Sequence, residues 1–199
     1  MKLKILSGLF AFSTIALTAC ANNNGNANSA NNQSSIAETT AIAKQAVDAT
    51  TAKATVSIKE IISAYLQLKN AFAKDNSNDA AAAGKSLQAA FTNFDTKNLS
   101  AEQAKTFNDI ADDAKEHAEH IGANGGNIKH QREHFVILSK DMADLIKTFG
   151  NGGQTLYKDF CPMANDGKGA IWISELKEIK NPYLGKKMPT CGTVKETIQ

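Results

Sequence analysis

The sequence predicts a mainly α-helical domain: an antiparallel four-helix bundle, then an irregular C-terminal segment with at most a short β-hairpin. Apolar residues recur at helical spacing in four stretches between about residues 55 and 150. Short connections rich in Gly, Asn and Asp separate these stretches, which is typical of an up-down bundle. The helical periodicity ends after Gly153, and residues 154–195 form the C-terminal segment.

The N-terminus has the pattern of an export signal. Lys2 and Lys4 precede a short apolar run, Ile5 to Leu17, which is too short for a permanent membrane span. Leu17-Thr18-Ala19-Cys20 resembles the lipobox of bacterial lipoproteins, which implies removal of residues 1–19 and lipidation of Cys20. The alternative is an ordinary secretory signal with a chance cysteine. Residues 20–35 are rich in Asn, Ala and Ser and predict a disordered tether between the lipid and a domain spanning 36–199.

Charge and localisation restrict the partners. Removal of residues 1–19 lowers Lys plus Arg from 22 to 20, against 20 Asp plus Glu, so the mature formal charge is zero. A neutral surface argues against nucleic acid binding. We expect a lipid-anchored protein of the bacterial cell envelope. Ala21-Asn22-Asn23 carries no acidic residue, which by general lipoprotein sorting patterns favours the periplasmic face of the outer membrane.

The first two helices follow from apolar periodicity. Ile36 to Thr51 is Ala-rich and weakly amphipathic, so it is either an additional N-terminal helix or continued tether. A strong helical pattern begins at Ser57, with inward positions at Ile58, Ile61, Ile62, Tyr65, Leu68 and Phe72. A second helix is predicted from Asp79 to Phe94, capped by Asn78 or Asp79, with Leu87, Phe91 and Phe94 facing inward.

Two longer helices follow. Ser100 and Gln103 have the spacing of a capping box and open the third helix, whose inward residues are Phe107, Ile110, Ala114, Ala118 and Ile121. A Gly-rich turn, 122–126, ends it. The fourth helix is predicted from about Asn127 to Phe149, with Ile128, Phe135, Leu138, Met142, Leu145 and Phe149 facing inward. Beyond it, Ala170 to Ile173 predicts a buried strand, and Trp172 predicts a core residue.

All four histidines are predicted to lie at one end of the bundle. His117 and His120 are in the last turns of the third helix, whereas His130 and His134 are in the first turns of the fourth. Spacings of three and four residues place each pair on one helix face. Imidazole suits copper, zinc and nickel, so these residues are candidate metal ligands. Alternatively, His117 is a hydrogen-bonded core residue, and His120 and His130 are solvated. Nearby carboxylates such as Glu133 are solvated or orient the histidines.

The C-terminal segment contains two Cys/Met pairs, Cys161 with Met163 and Met188 with Cys191. Thiolate and thioether sulfurs select monovalent copper or silver over hard cations. Alternatively, the two cysteines form a disulfide, which across a loop of this length stabilises the fold by roughly 3–4 kcal/mol. A third possibility is that they neither bind a metal nor form a disulfide. His130 or His134 could complete a mixed site if the segment covers the histidine end. We rank zinc behind copper and silver.

Several motifs in fixed order resemble the domain of unknown function 3347 family. They are Tyr65-Leu-x-Leu-Lys69, Gln131-Arg-Glu-His-Phe135, Cys161-Pro-Met-Ala164, Gly169-Ala-x-Trp-x-Ser174, Asn181-Pro-Tyr183 and Gly185-x-x-Met188-x-x-Cys191-Gly192. Members of this family are small exported lipoproteins or C-terminal extensions of CusB-type adaptor subunits in heavy-metal efflux pumps. The resemblance implies copper or silver handling and an efflux adaptor or other envelope protein as partner.

These observations lead to one expected function and one alternative. The expected function is a lipid-anchored envelope protein that binds copper or a related soft metal, as a buffer or an accessory to efflux. The alternative is an interaction module without metal, stabilised by a Cys161–Cys191 disulfide. The sequence has no Cys-x-x-Cys motif, nucleophile elbow or phosphate-binding loop. We therefore expect no enzymatic activity.

Overall fold

The computed structural model describes residues 57–199, which form a mainly α-helical unit with a small C-terminal sheet. The predicted signal peptide, Cys20, the tether and the Ile36–Thr51 segment lie outside the described residues. In order, the elements are α1 (Lys59–Ala73), α2 (Ser77–Thr92), α3 (Ala101–Ala123), α4 (Ile128–Phe149), β1 (Leu156–Cys161), β2 (Ala170–Ser174), a 3-10 helix (Gly185–Lys187) and β3 (Thr193–Ile198).

The helix boundaries follow from side-chain caps. Ser100 accepts a hydrogen bond from the Gln103 amide, and the Gln103 side chain accepts one from the Ser100 amide, so the predicted capping box is confirmed. Asn127 caps α4 through the His130 amide. The predicted cap of α2 is wrong: Asn76 rather than Asn78 or Asp79 holds this position, because its side chain accepts from the amide three residues on.

The core is made by the apolar helix faces that the periodicity predicts. Each helix packs mainly on the next helix in the chain, and β2 packs on α4. The inward positions of α1 are all buried, as are most of those on the other helices, whereas Phe94, Ile110 and Ile128 are only partly buried at the margin. Trp172 is fully buried, which confirms it as a core residue.

The C-terminal segment is more ordered than predicted. It forms a three-stranded antiparallel sheet in the order β2-β1-β3, not at most a hairpin. The strand predicted over Ala170–Ile173 is confirmed as β2, but β3 was missed. Its sequence, Thr-Val-Lys-Glu-Thr-Ile, is mostly exposed. Backbone pairing holds this strand at the edge of the sheet, so its sequence needs no apolar face and gives no pattern from which a strand could be predicted.

Polar contacts attach the sheet and its loops to the helices. The Tyr65 hydroxyl on α1 accepts a hydrogen bond from the Ile173 amide on β2 at 3.1 Å. Arg132 on α4 donates to the Pro182 carbonyl at 2.7 Å and forms an ion pair with Asp75. The Asp75 carboxylate also accepts from the Lys186 amide at 2.9 Å. Helix α4 and the connection between α1 and α2 therefore hold the loop that leads to Cys191.

Candidate metal centre

The turn between α3 and α4 is held by buried polar groups that sequence analysis missed. Gln131 has no exposed surface, and its amide donates to the carbonyls of Ile121 and Ser77 at 3.0 and 3.1 Å. The Ser77 hydroxyl donates to the Gln131 side-chain oxygen at 2.7 Å and accepts from the Gly126 amide at 2.7 Å. Because these bonds join the end of α3, the start of α4 and the start of α2, they fix the register of the helices that carry the histidines.

Close packing of α2 on α3 positions the same helix end. A Cβ atom built on Gly84 would lie 2.9 Å from the Ala118 carbonyl oxygen, so only glycine permits this approach. Ala118 lies between His117 and His120 on α3. The backbone that presents these two histidines therefore packs directly on its neighbour.

The structure brings all four predicted histidines together. His134 is at the centre: its ring stacks on His120 with centroids 4.4 Å apart, and its centroid lies 4.7 Å from that of His130. The His117 and His134 Nδ1 atoms are 3.1 Å apart. Ligand atoms of His120, His130 and His134 all lie within 4.8 Å of one another. We call these four residues the histidine cluster.

The charge state of the cluster suits metal binding. The pKa of His117 is lowered by burial, and the pKa of His134 is lowered by burial and then by the neighbouring imidazoles of His120, His130 and His117. Both effects disfavour the protonated ring. Neutral imidazole is the form that ligates a metal, so these rings need not lose a proton first at neutral pH.

Two carboxylates contact the exposed side of the cluster. The Nδ1 of His130 lies 3.3 Å from the Glu133 carboxylate, and the Nε2 of His120 lies 3.9 Å from Glu116. A carboxylate oxygen only accepts, so His130 donates from Nδ1, which leaves its Nε2 lone pair free. Orientation of a ligating histidine by a carboxylate is a common feature of metal sites.

Three converging imidazoles can hold a divalent transition metal. Zinc–nitrogen bonds are about 2.0–2.1 Å long, so two ligand nitrogens on one ion are at most about 4 Å apart. The observed separations of up to 4.8 Å would have to shorten for all three nitrogens to share one ion. His120 is exposed, and His130 and His134 are partly buried, so the cluster is open to solvent on one side.

The sulfur residues form a separate group. Cys161 and Cys191 are free thiols at the end of the sheet where Phe160 on β1 pairs with Thr193 on β3. Met163 is exposed and Met188 is partly buried. Within residues 57–199, the His120, His130 and His134 group is the only set of three or more His, Cys, Asp or Glu side chains close enough to share an ion. This group contains no cysteine, and the mixed site of sulfur and histidine ligands stays a prediction.

A buried charged group near the sheet also escaped the sequence analysis. Lys69 and Asp159 have no exposed surface, and Lys69 Nζ lies 2.8 Å from the Glu175 carboxylate. Lys69 follows Leu68 on the face that contains Tyr65 and Phe72, so a lysine among buried positions was the available signal. Nothing in the sequence marks Asp159, whose burial depends on the pairing of β1 between two strands.

Comparison with known proteins identifies the class of this domain. Residues 61–154 match the model of a family described as "Protein of unknown function (DUF3347)". This part of the chain matches that family, which confirms the resemblance over these residues. The match begins at the third residue of α1, covers the rest of the four helices and ends before β1. No curated protein and no solved structure matches the chain. Across residues 57–199, every helix is too short or too polar to cross a membrane.

Proposed function

We propose that this chain is a metal-binding protein of the bacterial cell envelope and that the histidine cluster is its metal site. The observation that carries the proposal is the convergence of His120, His130 and His134, whose ligand atoms lie within 4.8 Å of one another. An antiparallel four-helix bundle, with α3 and α4 as antiparallel neighbours, would supply the rigid support for these ligands. No turnover is part of the proposal.

The donor chemistry points to copper. Imidazole nitrogens bind divalent copper, zinc and nickel, and divalent copper forms the most stable complexes of this series. Thiols and thioethers instead select monovalent copper or silver. Copper is thus the metal that both the histidine cluster and the Cys161–Cys191 pair would accept in different oxidation states.

The cellular part of the proposal depends on the sequence motifs. The lipobox-like sequence ending at Cys20 supports a lipid anchor, and the family resemblance supports a role as a copper buffer or as an accessory that contacts an efflux adaptor. An exposed His120 beside partly buried His130 and His134 suits uptake and release of an ion without a large conformational change.

The test is a titration of divalent copper and zinc into metal-free protein by competition with a chromogenic chelator. His134→Gln should weaken binding at least tenfold, and so should His120→Gln and His130→Gln, because each removes one of three ligands; loss of even an outer partner costs about 10–100-fold. His117→Gln then shows whether a fourth imidazole contributes.

The matched control is the double variant Cys161→Ser, Cys191→Ser. It removes the thiols at positions 161 and 191 and leaves the histidine cluster intact, so its zinc affinity should equal that of the wild type. Unchanged affinity in all three histidine variants would exclude the cluster as the metal site. A parallel titration with silver in the reduced protein tests whether the thiol pair takes a soft monovalent ion.

A further inference from the structure

Two thiols from distant parts of the sequence lie against each other at the end of the sheet. Cys161 is the last residue of β1 and has no exposed surface. Cys191 precedes β3 and is partly exposed. Although 29 residues separate them, the two cysteines come to the same end of the sheet, because Phe160 on β1 pairs with Thr193 on β3. Neither belongs to the histidine cluster, so this pair is independent of the proposed metal site.

The backbone around Cys191 is held in place. Its carbonyl accepts a hydrogen bond from the side chain of the buried Asn181 at 2.6 Å, and its amide donates to the Met188 carbonyl at 3.2 Å. These bonds hold the backbone of Cys191 in its loop before any covalent bond exists. Ordering of the reacting groups in advance accelerates a reaction between them.

The next residue, Gly192, allows the two chain segments to come this close. Its φ of +144° lies outside the usual range for other residues, and a Cβ there would lie 2.8 Å from the Trp172 ring and 3.1 Å from the Phe160 carbonyl oxygen. Phe160 directly precedes Cys161. A side chain at position 192 would push the loop away from β1 and separate the thiols.

The two thiols differ in access to solvent, and this difference implies an order of reaction. An external disulfide can reach the partly exposed Cys191 but not the buried Cys161. We propose that this pair is a thiol–disulfide exchange site in which Cys191 attacks an external disulfide first and Cys161 then closes the intramolecular disulfide. The external reactant is any accessible small-molecule or protein disulfide.

The exchange is balanced in two steps. The Cys191 thiolate attacks one sulfur of the external disulfide, forms a mixed disulfide and releases the other sulfur as a thiolate. The Cys161 thiol loses its proton to solvent and attacks Cys191 Sγ, which breaks the mixed disulfide and releases the second external thiolate. In total, two cysteine thiols are oxidised and one external disulfide is reduced to two thiols. The two protons lost by the cysteines pass through solvent to the released external thiolates.

Local hydrogen bonds set the reactivity of Cys191. Its contact with Cys161 raises the pKa of the Cys191 thiol, and burial also raises it, while the Met163 amide opposes both by donating to the sulfur. The thiolate is the attacking form. The rate of the first step should therefore increase with pH, and the increase should continue above the ordinary range of a cysteine pKa.

The experiment uses oxidised glutathione as the probe, on protein carrying Cys20→Ser so that positions 161 and 191 hold the only thiols. When both Cys161 and Cys191 are present, intact-mass analysis should show that the protein has lost two hydrogens and retains no glutathione. Cys161→Ser should instead keep one glutathione on Cys191, because no resolving thiol remains. Cys191→Ser should react at least about tenfold more slowly, since its remaining thiol is buried.

Two further measurements keep the test decisive if a variant folds poorly. Acid quenching of the unsubstituted pair early in the reaction, followed by peptide mapping, should locate the transient glutathione on Cys191. In denaturant, the two single variants should react at similar rates, because the difference in access has disappeared. Transient glutathione on Cys161, equal rates for the folded variants, or stable double glutathionylation without internal disulfide would overturn the proposal.

Discussion

The Nδ1 atoms of His117 on α3 and His134 on α4 lie 3.1 Å apart, so one of these imidazoles donates a hydrogen bond to the other. This contact requires at least one neutral ring. It also joins the helices at the point where His134 stacks on His120. His134 is thus shared between the helix interface and the group of three converging ligands, and its removal should affect both stability and metal binding.

Acid should destabilise the metal-free protein through this pair. The folded-state pKa values of His117 and His134 lie below the ordinary value of 6.5, mainly because of burial. Below about pH 6.5 the unfolded chain binds protons that the folded chain does not, so these groups lower the free energy of unfolding as the pH falls. The decrease should be measurable by urea unfolding between about pH 7.5 and pH 5 in the presence of a chelator.

The comparison with a variant isolates this contribution from other titrating groups. His134→Gln keeps a polar side chain but cannot be protonated, so its unfolding free energy should fall less over the same pH range than that of the wild type. Equal pH dependence in the two proteins would show that His134 is not held in its neutral form by the fold.

Asp159 should have the opposite pH dependence. It is fully buried between two strands, neither carboxylate oxygen has a hydrogen-bond partner in the described structure, and burial raises its pKa to about 7 although Lys69 partly offsets the shift. At pH values between 3.8, the ordinary pKa of this carboxyl, and about 7, Asp159 is protonated in the folded chain and ionised in the unfolded chain. This group therefore lowers the stability of the protein as the pH rises through that window.

The variant Asp159→Asn removes the ionisation and resembles the protonated acid in shape. Relative to wild type, it should be more stable at about pH 8, by about 2 kcal/mol, with the advantage shrinking toward about pH 5. Thermal or urea unfolding at both values measures the difference. Asp144→Asn, at an exposed position on α4, is the control and should show no comparable pH-dependent gain.

Removal of Glu175 should be among the most destabilising single changes outside the apolar core. The buried ammonium of Lys69 lies 2.8 Å from the Glu175 carboxylate, which also accepts from the Asn70 side chain at 2.8 Å. Glu175→Ala leaves a buried charge without its closest partner and should cost about 3 kcal/mol. The double variant Lys69→Met, Glu175→Ala should recover part of that loss, because no unpaired ammonium remains.

The control is an ion pair with the same chemistry in solvent. Lys105 and Asp109 on α3 are separated by 2.6 Å and both side chains are exposed. Asp109→Asn should change the unfolding free energy by less than about 0.5 kcal/mol. If Glu175→Ala and Asp109→Asn had similar effects, burial would not govern the strength of the Lys69 contact.

Helices were predictable because their signals are local. The capping box at Ser100 and the 3.6-residue periodicity from Ile58 onward depend on neighbours within one or two turns. The third strand was not predictable for the opposite reason. Val194 pairs with Asp159 on β1, 35 positions earlier in the chain, and the mostly exposed side chains of β3 carry no alternating apolar pattern.

The sequence by itself determined the four helices, the family and the arrival of all four histidines at one end of the helical layer. These features follow from periodicity, glycine-rich turns and motif order, which operate over short distances. Only the tertiary structure decided that His134 is central and that Cys161 and Cys191 come to the same end of the sheet, outside the histidine cluster. Such distances depend on strand register and helix packing, which buried residues far apart in the chain establish together.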